Sequence, residues 1–313
     1  MKKYFILLLS TVLLTGLTAC STQNSSSSNN KENQGNTSFK INYLDKEYSF
    51  DKKVENVVLA SLEGMEDAAV LGVNAVGVLE VAGKVPKYLE DDFKDVTLVG
   101  DKKTPNPEII LGLDPDVIIG SSKLSDETMA KLNKIAVTLP YSHISSNWKD
   151  NLLALGEITD KSDQANKLIS DYEKKASKIK GDLKNKGENT LVIRVRGGLM
   201  YIYPEDTYLN PVLYNDLGLK VPEVVDKSKS QVEITLETLS EANPDAIFLQ
   251  FEDSENTEDP KALDELLENP IFKKLDASKN SRVFVNTIEP LAQGGTAWSK
   301  VKFLDAVEKN LLK

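Results

Sequence analysis

A helix-to-strand unit occurs twice in this sequence, once in each half. In the first copy, Glu108 is followed after seven residues by Pro115-Asp116 and then by an apolar run. In the second copy, Glu237 is followed at the same spacing by Pro244-Asp245 and another apolar run. Each copy predicts a helix that ends before the proline and a buried strand after it. The repeat therefore predicts two lobes of related architecture, with the two glutamates near equivalent helix starts.

Short apolar runs alternate with helical patterns on both sides of this unit. Such alternation is typical of α/β lobes with mainly parallel sheets. The predicted strands are 57–60, 75–79, 96–100, 116–120 and 137–141 in the first half, and 191–195, 200–203, 246–251 and 283–286 in the second. Helices are predicted from about 145 to 159 and from Thr296 to the end of the chain.

Residues 162–183 carry apolar side chains at steps of three and four, which is the spacing of one helix face. The positions are Ala165, Leu168, Ile169, Tyr172, Ala176, Ile179 and Leu183. A helix of about 22 residues is about 33 Å long, which is enough to connect two lobes. The sequence therefore predicts an α/β fold of two Rossmann-like lobes, 39–160 and 187–313, joined by a single long rigid helix over 161–186.

The first residues indicate an export signal. Lys2 and Lys3 precede an apolar run shorter than the roughly 20 residues that a spanning helix needs. The run ends in Leu17-Thr18-Ala19-Cys20, which resembles the bacterial lipobox, and Cys20 is the only cysteine. We predict a signal peptide over 1–19, a lipidated Cys20, and a flexible tether over 20–38 that holds the protein at the outer face of the cell membrane. The alternative is an ordinary secretory signal with an incidental cysteine.

Charge and composition exclude several classes of function. The net charge of −10 argues against a nucleic-acid partner, because such proteins present a net basic surface. One histidine, His143, and one cysteine are too few ligands for a high-affinity zinc or copper site, so we expect no protein-bound metal and no cofactor. We assign His143 a structural role. The sequence contains no Gly-x-Ser-x-Gly, His-Glu-x-x-His or P-loop motif, which disfavours an enzyme.

Basic residues lie close to the ends of several predicted strands. In open α/β sheets the ligand crevice lies beyond the carboxyl ends of the strands, so these residues are candidates for a binding site. Arg194 and Arg196 are two of only three arginines, and their spacing places both on one strand face. They indicate an anionic, polyvalent ligand, although Gly197-Gly198 after Arg196 is also typical of an exposed hairpin turn. The further candidates are Lys84, Lys102, Lys103, Lys229 and Gln231.

Four stretches make the sequence similar to the siderophore-binding lipoproteins of Gram-positive bacteria. They are EGMED (63–67), SHISSNWK (142–149), LVIRVR (191–196) and LAQGGTAWSKV (291–301), and the similarity covers nearly the whole chain after the signal. The resemblance implies a periplasmic-binding-protein-like fold of the class with one connecting helix. It also implies a monomeric, non-enzymatic protein that binds a ferric siderophore and passes it to an ABC permease with a cytoplasmic ATPase behind it. The implied ligand is a triscatecholate of the bacillibactin or enterobactin type.

The same resemblance assigns roles to the candidate residues. Lys84, one lysine of the Lys102-Lys103 pair, and Arg196 form a basic triad around the ligand, while the chelator holds the iron. Hydrogen bonds come from Arg194, Lys229 and Gln231. A relative carries glutamine where this chain has Gly197.

Glu108 and Glu237 match the two acidic residues, one per lobe, that dock on arginines of the permease. Acidic residues also favour a helix N-terminus without any further role. Two alternatives for the whole chain stay open at this point. One is the same transport role with a hydroxamate siderophore, haem or a corrinoid as cargo, and the other is a secreted enzyme.

Overall fold

The computed structural model describes residues 38–183 and 189–312. The predicted signal peptide, Cys20 and all of the predicted tether except residue 38 lie outside the described residues. The same holds for residues 184–186 of the predicted connecting helix. Within the described ranges, every helix is too short or too polar to cross a membrane.

The first half begins with a hairpin and continues into a six-stranded sheet. The hairpin strands, which the sequence analysis did not predict, are β1 (Phe39–Tyr43) and β2 (Lys46–Phe50). The sheet has the order β6-β5-β4-β3-β7-β8, and only β6 runs antiparallel to its neighbour. All the strands predicted for this half are present. The sheet strands are β3 (Val57–Ala60), β4 (Gly77–Glu80), β5 (Thr97–Asp101), β6 (Thr104–Pro105), β7 (Val117–Ser121) and β8 (Val137–Tyr141).

Helix α1 is the most deeply packed helix of the first half. Its N-cap Ser61 accepts a hydrogen bond from Gly64 N at 3.2 Å, and Gly72 ends it in the left-handed conformation. Gly64 allows α1 to lie against β7, because a Cβ there would come within 2.7 Å of Ile119 Cγ2. The helices of this half are α1 (Leu62–Leu71), α2 (Pro107–Gly112), α3 (Asp126–Leu132) and α4 (Trp148–Ile158).

The long helix α5 (Ser162–Leu183) confirms the predicted connecting helix over the residues that are described. Ala165, Tyr172, Ala176, Ile179 and Leu183 are buried, as the apolar spacing predicts. The Tyr172 ring packs edge-on against a tryptophan of α4, with ring centroids 5.1 Å apart.

The second half contains a five-stranded sheet with the order β11-β10-β9-β12-β13. β9, β12 and β13 are parallel, whereas β10 pairs antiparallel with both neighbours. Gly197 (φ +56°) and Gly198 (φ +76°) form the two-residue turn between β9 and β10, which confirms the predicted hairpin. The strands are β9 (Thr190–Arg196), β10 (Leu199–Ile202), β11 (Val232–Ile234), β12 (Ala246–Phe251) and β13 (Val283–Val285). The helices are α6 (Glu223–Asp226), α7 (Leu236–Ala242), α8 (Ala262–Glu268), α9 (Asp276–Lys279) and α10 (Ala297–Leu311).

The repeated unit has the same anatomy in both halves. Glu108 and Glu237 are each the second residue of their helix, α2 or α7, and both are exposed. Asp116 and Asp245 each accept a hydrogen bond from the backbone N–H of the residue preceding the neighbouring parallel strand, at 2.9 and 2.8 Å. These aspartates tie the starts of adjacent strands together, which gives the repeated Pro-Asp pair a structural reason. The predicted α/β fold of two related lobes is confirmed.

The last segment of the chain returns to the first half, where two buried carboxylates hold it. Glu66 and Asp67, adjacent on α1, are both 0% exposed. Glu66 accepts hydrogen bonds from Gln293 N at 2.8 Å and from Ser299 Oγ at 2.7 Å. Asp67 accepts a hydrogen bond from Ala297 N at 2.8 Å. As a result α10 packs against α1, α4 and α5. The predicted lobe boundaries at 39–160, 161–186 and 187–313 stay a prediction.

Burial makes Asp67 hold its proton more strongly than an ordinary aspartate. It raises the pKa of the Asp67 carboxyl to about 8, although hydrogen bonds from Tyr141 and Ala297 act in the opposite direction. In the unfolded chain the carboxyl ionises near pH ~4. Its contribution to folding is therefore complete below about pH 4 and is lost as the pH rises through about 8.

We expect Asp67→Asn, which imitates the protonated carboxyl, to gain stability relative to the wild type by on the order of 4 kcal/mol between about pH 5 and pH 8. Urea unfolding across that range measures the difference. Asp91→Asn is the control, because Asp91 is exposed and pairs with Lys94 at the surface. Parallel pH profiles for the wild type and Asp67→Asn would contradict this assignment.

Candidate functional site

A cavity of about 280 Å³ lies where strand ends of the two sheets face each other. In the first half, five lining residues each follow the end of a strand by one or two positions: Leu62, Val81, Lys102, Lys123 and His143. The second half contributes residues of β9 and of the loops around the other strands. This is the position where open α/β sheets bind ligands.

Arg194 and Arg196 line the cavity from β9 and share one carboxylate. Arg194 donates to Glu255 Oε2 from Nε at 2.9 Å and from Nη2 at 2.8 Å. Arg196 Nη2 donates to Glu255 Oε1 at 3.0 Å. The Arg194 side chain is 9% exposed, whereas that of Arg196 is 40% exposed. The two guanidinium groups are therefore brought together, as their strand spacing predicts, and Glu255 balances part of their charge.

Two lysines line the cavity from the first half. Lys102 follows β5 and is exposed, and Lys123 follows β7 and pairs with Glu63 Oε1 at 2.8 Å. Both lysines also line an adjoining hollow of about 550 Å³, to which Lys103 contributes. The two hollows share these cations, so the basic surface is continuous across this part of the molecule.

The wall beside the arginines is aromatic. The Arg194 guanidinium lies over the Tyr208 ring, 5.6 Å from its centroid, and Tyr203 packs against Tyr208 with centroids 4.9 Å apart. Tyr208 is 6% exposed, and its hydroxyl has no hydrogen-bond partner within the described part of the chain. Burial raises the pKa of Tyr208, so its hydroxyl stays protonated. The hydroxyl is a buried hydrogen-bond donor on a side chain that lines the cavity.

Of the three remaining candidates, Gln231, Lys84 and Lys229, only Gln231 lines the cavity. Lys84 and Lys229 are exposed and contribute to neither hollow. The backbone of Lys84 bonds to Val81, which does line the cavity.

His143 borders the cavity, and its Nδ1 lies 2.8 Å from Ser122 Oγ. Burial lowers the pKa of His143, and the nearby Lys123 acts in the same direction, so the imidazole is neutral at physiological pH. Among the described residues, no group of three or more His, Cys, Asp and Glu side chains is arranged to hold a metal ion.

Glu108 and Glu237 lie outside the cavity, on the exposed first turns of α2 and α7. Asn106 caps α2 by accepting hydrogen bonds from Glu108 N and Ile109 N, and Thr235 caps α7. Both glutamates are exposed, although the Glu237 carboxylate also accepts hydrogen bonds from its own backbone N–H and from the hydroxyl of Thr235.

Two charged residues of the cavity, Lys123 and Glu255, were not predicted from the sequence, and neither were its tyrosines Tyr88, Tyr203 and Tyr208. Lys123 follows a predicted strand, as Lys102 does, and the same strand-end argument could have found it. Glu255 gave no such signal, because it lies in an acidic loop four residues after β12 and looks like a solvated surface group. Only the fold brings it to the arginines.

The chain is similar to known binding proteins over most of its length. A model of the periplasmic binding protein family matches residues 57–287. The iron-uptake system-binding protein of Bacillus subtilis (strain 168) is 44% identical over 318 residues, which cover 99% of each chain. The probable siderophore-binding lipoprotein YfiY of the same organism is 27% identical over 325 residues, covering 100% of this chain and 99% of the relative.

A solved structure agrees with these relatives. The crystal structure of the triscatecholate siderophore binding protein FeuA from Bacillus subtilis, complexed with ferri-bacillibactin, matches with a TM-score of 0.78 and 46% identity. The match covers 87% of this chain and 98% of the FeuA chain. The fold class and the family resemblance predicted from the sequence are both confirmed. The chain belongs to the periplasmic binding protein family.

Proposed function

We propose that the chain is the substrate-binding lipoprotein of an ABC importer, which captures ferric catecholate siderophores of the bacillibactin or enterobactin type and delivers them to a membrane permease. The observation that carries this proposal is the meeting of four cations on one cavity. Lys102 and Lys123 come from the first half, and Arg194 and Arg196 come from the second.

The charge of the ligand explains why such a cavity would select it. A ferric triscatecholate is a rigid trianion whose iron is already enclosed by catechol oxygens, so it needs no metal ligand from the protein. One charge pair at about 4 Å contributes on the order of 4 kcal/mol at an effective dielectric near 20, before desolvation offsets much of it. Guanidinium groups suit delocalised, planar anions, and the tyrosine wall offers flat surfaces to aromatic rings.

The comparisons support this assignment through named relatives. An iron-uptake system-binding protein shares 44% identity with the chain over its full length, and the matching FeuA structure contains ferri-bacillibactin. Membership of a family of binding proteins disfavours the secreted-enzyme alternative. A hydroxamate siderophore, haem or a corrinoid carries less negative charge and would gain less electrostatic attraction from the four cations.

We assign the ligand contacts by position in the cavity. Lys102, Lys123 and Arg196 form the basic triad, while Arg194 and Gln231 add hydrogen bonds. Lys103 borders the ligand from the adjoining hollow. Lys84 and Lys229 line neither hollow, and their ligand contacts stay a prediction.

We also propose that Cys20 carries the lipid that anchors a monomeric protein at the outer face of the cell membrane. The relative YfiY is named a lipoprotein, and the lipobox-like sequence before Cys20 supports the same processing. Glu108 and Glu237 would then dock on basic residues of the permease, behind which a cytoplasmic ATPase acts. Their equivalent, exposed places on α2 and α7 support this role.

A panel of ferric siderophores tests the cargo. Titration of the signal-free protein should quench its intrinsic fluorescence with ferric bacillibactin or ferric enterobactin at micromolar concentration or below, because Trp298 packs 5.1 Å from Tyr88 in the cavity wall. Ferric hydroxamates, haem and a corrinoid serve as comparison ligands. Binding of one of these in place of both catecholates would overturn the proposed cargo.

Three single substitutions test the assigned contacts. We expect Arg196→Ala and Lys123→Ala each to weaken catecholate binding more than tenfold, about 1.4 kcal/mol, because each removes a cation from the cavity. Lys131→Ala is the matched control, since it removes an equal charge from an exposed lysine of the same half that lines neither hollow, and it should change the affinity less than about threefold. An equal loss in Lys131→Ala and Lys123→Ala would show that only net charge matters.

The docking role predicts a separation of binding from uptake. Glu108→Ala combined with Glu237→Ala should leave siderophore affinity unchanged and abolish siderophore-dependent growth of cells that rely on this protein for iron. The control combines Glu127→Ala with Glu223→Ala, which are exposed carboxylates, one in each half. Uptake that persists in the first double variant would refute docking by these residues.

A further inference from the structure

We propose that Glu255 is a built-in counter-anion of the cavity, which holds the two arginines in place and suppresses the binding of small anions. This inference deepens the proposed function and depends on it only for the identity of the large ligand. Its basis is the arrangement of one carboxylate between two guanidinium groups, each of which lines the cavity.

The position of Glu255 is fixed by the backbone rather than by the arginines alone. Gly197 N donates to Glu255 O at 2.9 Å, in the turn directly after Arg196. The neighbouring Asn256, which is 0% exposed, donates from Nδ2 to Val195 O at 3.2 Å and accepts from Gly198 N at 3.1 Å. These hydrogen bonds connect the loop after β12 to the β9–β10 turn. They position the Glu255 carboxylate beside the two arginines.

Glu255 leaves donors for a ligand while it lowers the local charge. Arg196 uses Nη2 for the carboxylate, and its side chain is 40% exposed. Guanidinium has five N–H donors in a planar fork, so a second anion can bind while the first stays in place. A small anion gains little from a guanidinium pair that is already partly neutralised. A large polyanion also reaches the lysines on the opposite side and gains from all four cations.

The first half repeats the arrangement on a smaller scale. Glu63 on α1 is buried, with its side chain 6% exposed, and pairs with Lys123. Each half therefore supplies cations together with one carboxylate. The cavity is less positive than its lysines and arginines alone suggest, which suits a protein that must ignore the abundant small anions of its surroundings.

The test compares Glu255→Gln with the wild type by calorimetric titration of two probes, iron-free citrate and ferric enterobactin. Glutamine keeps the size of the side chain and one acceptor oxygen but removes the charge. We expect about fivefold or greater tightening of citrate binding at low salt, with the gain shrinking as salt screens the cavity. Ferric enterobactin should bind more tightly as well. Asp253→Asn is the control, because it removes an equal charge from an exposed position in the same loop.

Citrate affinity that is unchanged or weaker in Glu255→Gln, while Asp253→Asn matches the wild type, would overturn the inference and leave Glu255 as an orienting group only. Glu255→Ala provides a second variant if the glutamine variant does not fold. Failure of the wild type to bind ferric enterobactin would count against the proposed function, whereas the citrate titration would still decide the role of Glu255.

Discussion

Two adjacent buried carboxylates on α1 hold the final segment of the chain against the first half of the molecule. A buried polar group is tolerated only when hydrogen bonds satisfy it, and loss of one partner leaves a costly unpaired group. Glu66 and Asp67 are satisfied by residues near the start of α10, so α10 is fixed in position against α1. Glu66 also accepts a hydrogen bond from Tyr88 Oη at 2.7 Å. Because Tyr88 and Gln293 both line the cavity, the same carboxylate shapes the binding site.

The cavity is locally basic, although the chain as a whole is acidic. The chain carries a net charge of −10, so its overall field repels an anionic ligand. The cations at the strand ends make the electrostatic potential positive in the cavity. The low exposure of Arg194 reduces the screening of its charge by salt. Glu63 and Glu255 then moderate this charge. The result is a site whose attraction depends on the number of cations that one ligand can reach, so it distinguishes ligands by size and charge together.

Much of this organisation follows from local sequence. The apolar spacing in 162–183 predicted α5 and its buried face, and the alternation of strands and helices predicted both sheets, because these patterns reflect burial on one helix face or in parallel strands. The hairpin β1–β2 was missed because its strands alternate buried and exposed residues and so lack the continuous apolar run that is typical of a parallel strand. Among site residues, Arg194 and Arg196 were predicted to project together and they meet on Glu255. Lys123 and Glu255 were overlooked, because single charged residues in polar loops resemble ordinary surface groups.

The sequence by itself determined the class of fold, the repeated helix-to-strand unit and the arginine pair on one strand, because each depends on neighbours within a few residues or on composition. Only the tertiary structure decided which cations share a cavity, that Glu255 sits between the arginines, and that α10 returns to α1. Those relations join residues tens to hundreds of positions apart in the chain, as between Glu66 and Gln293. Contacts of that kind depend on how sheets and helices pack, so local sequence patterns do not predict them.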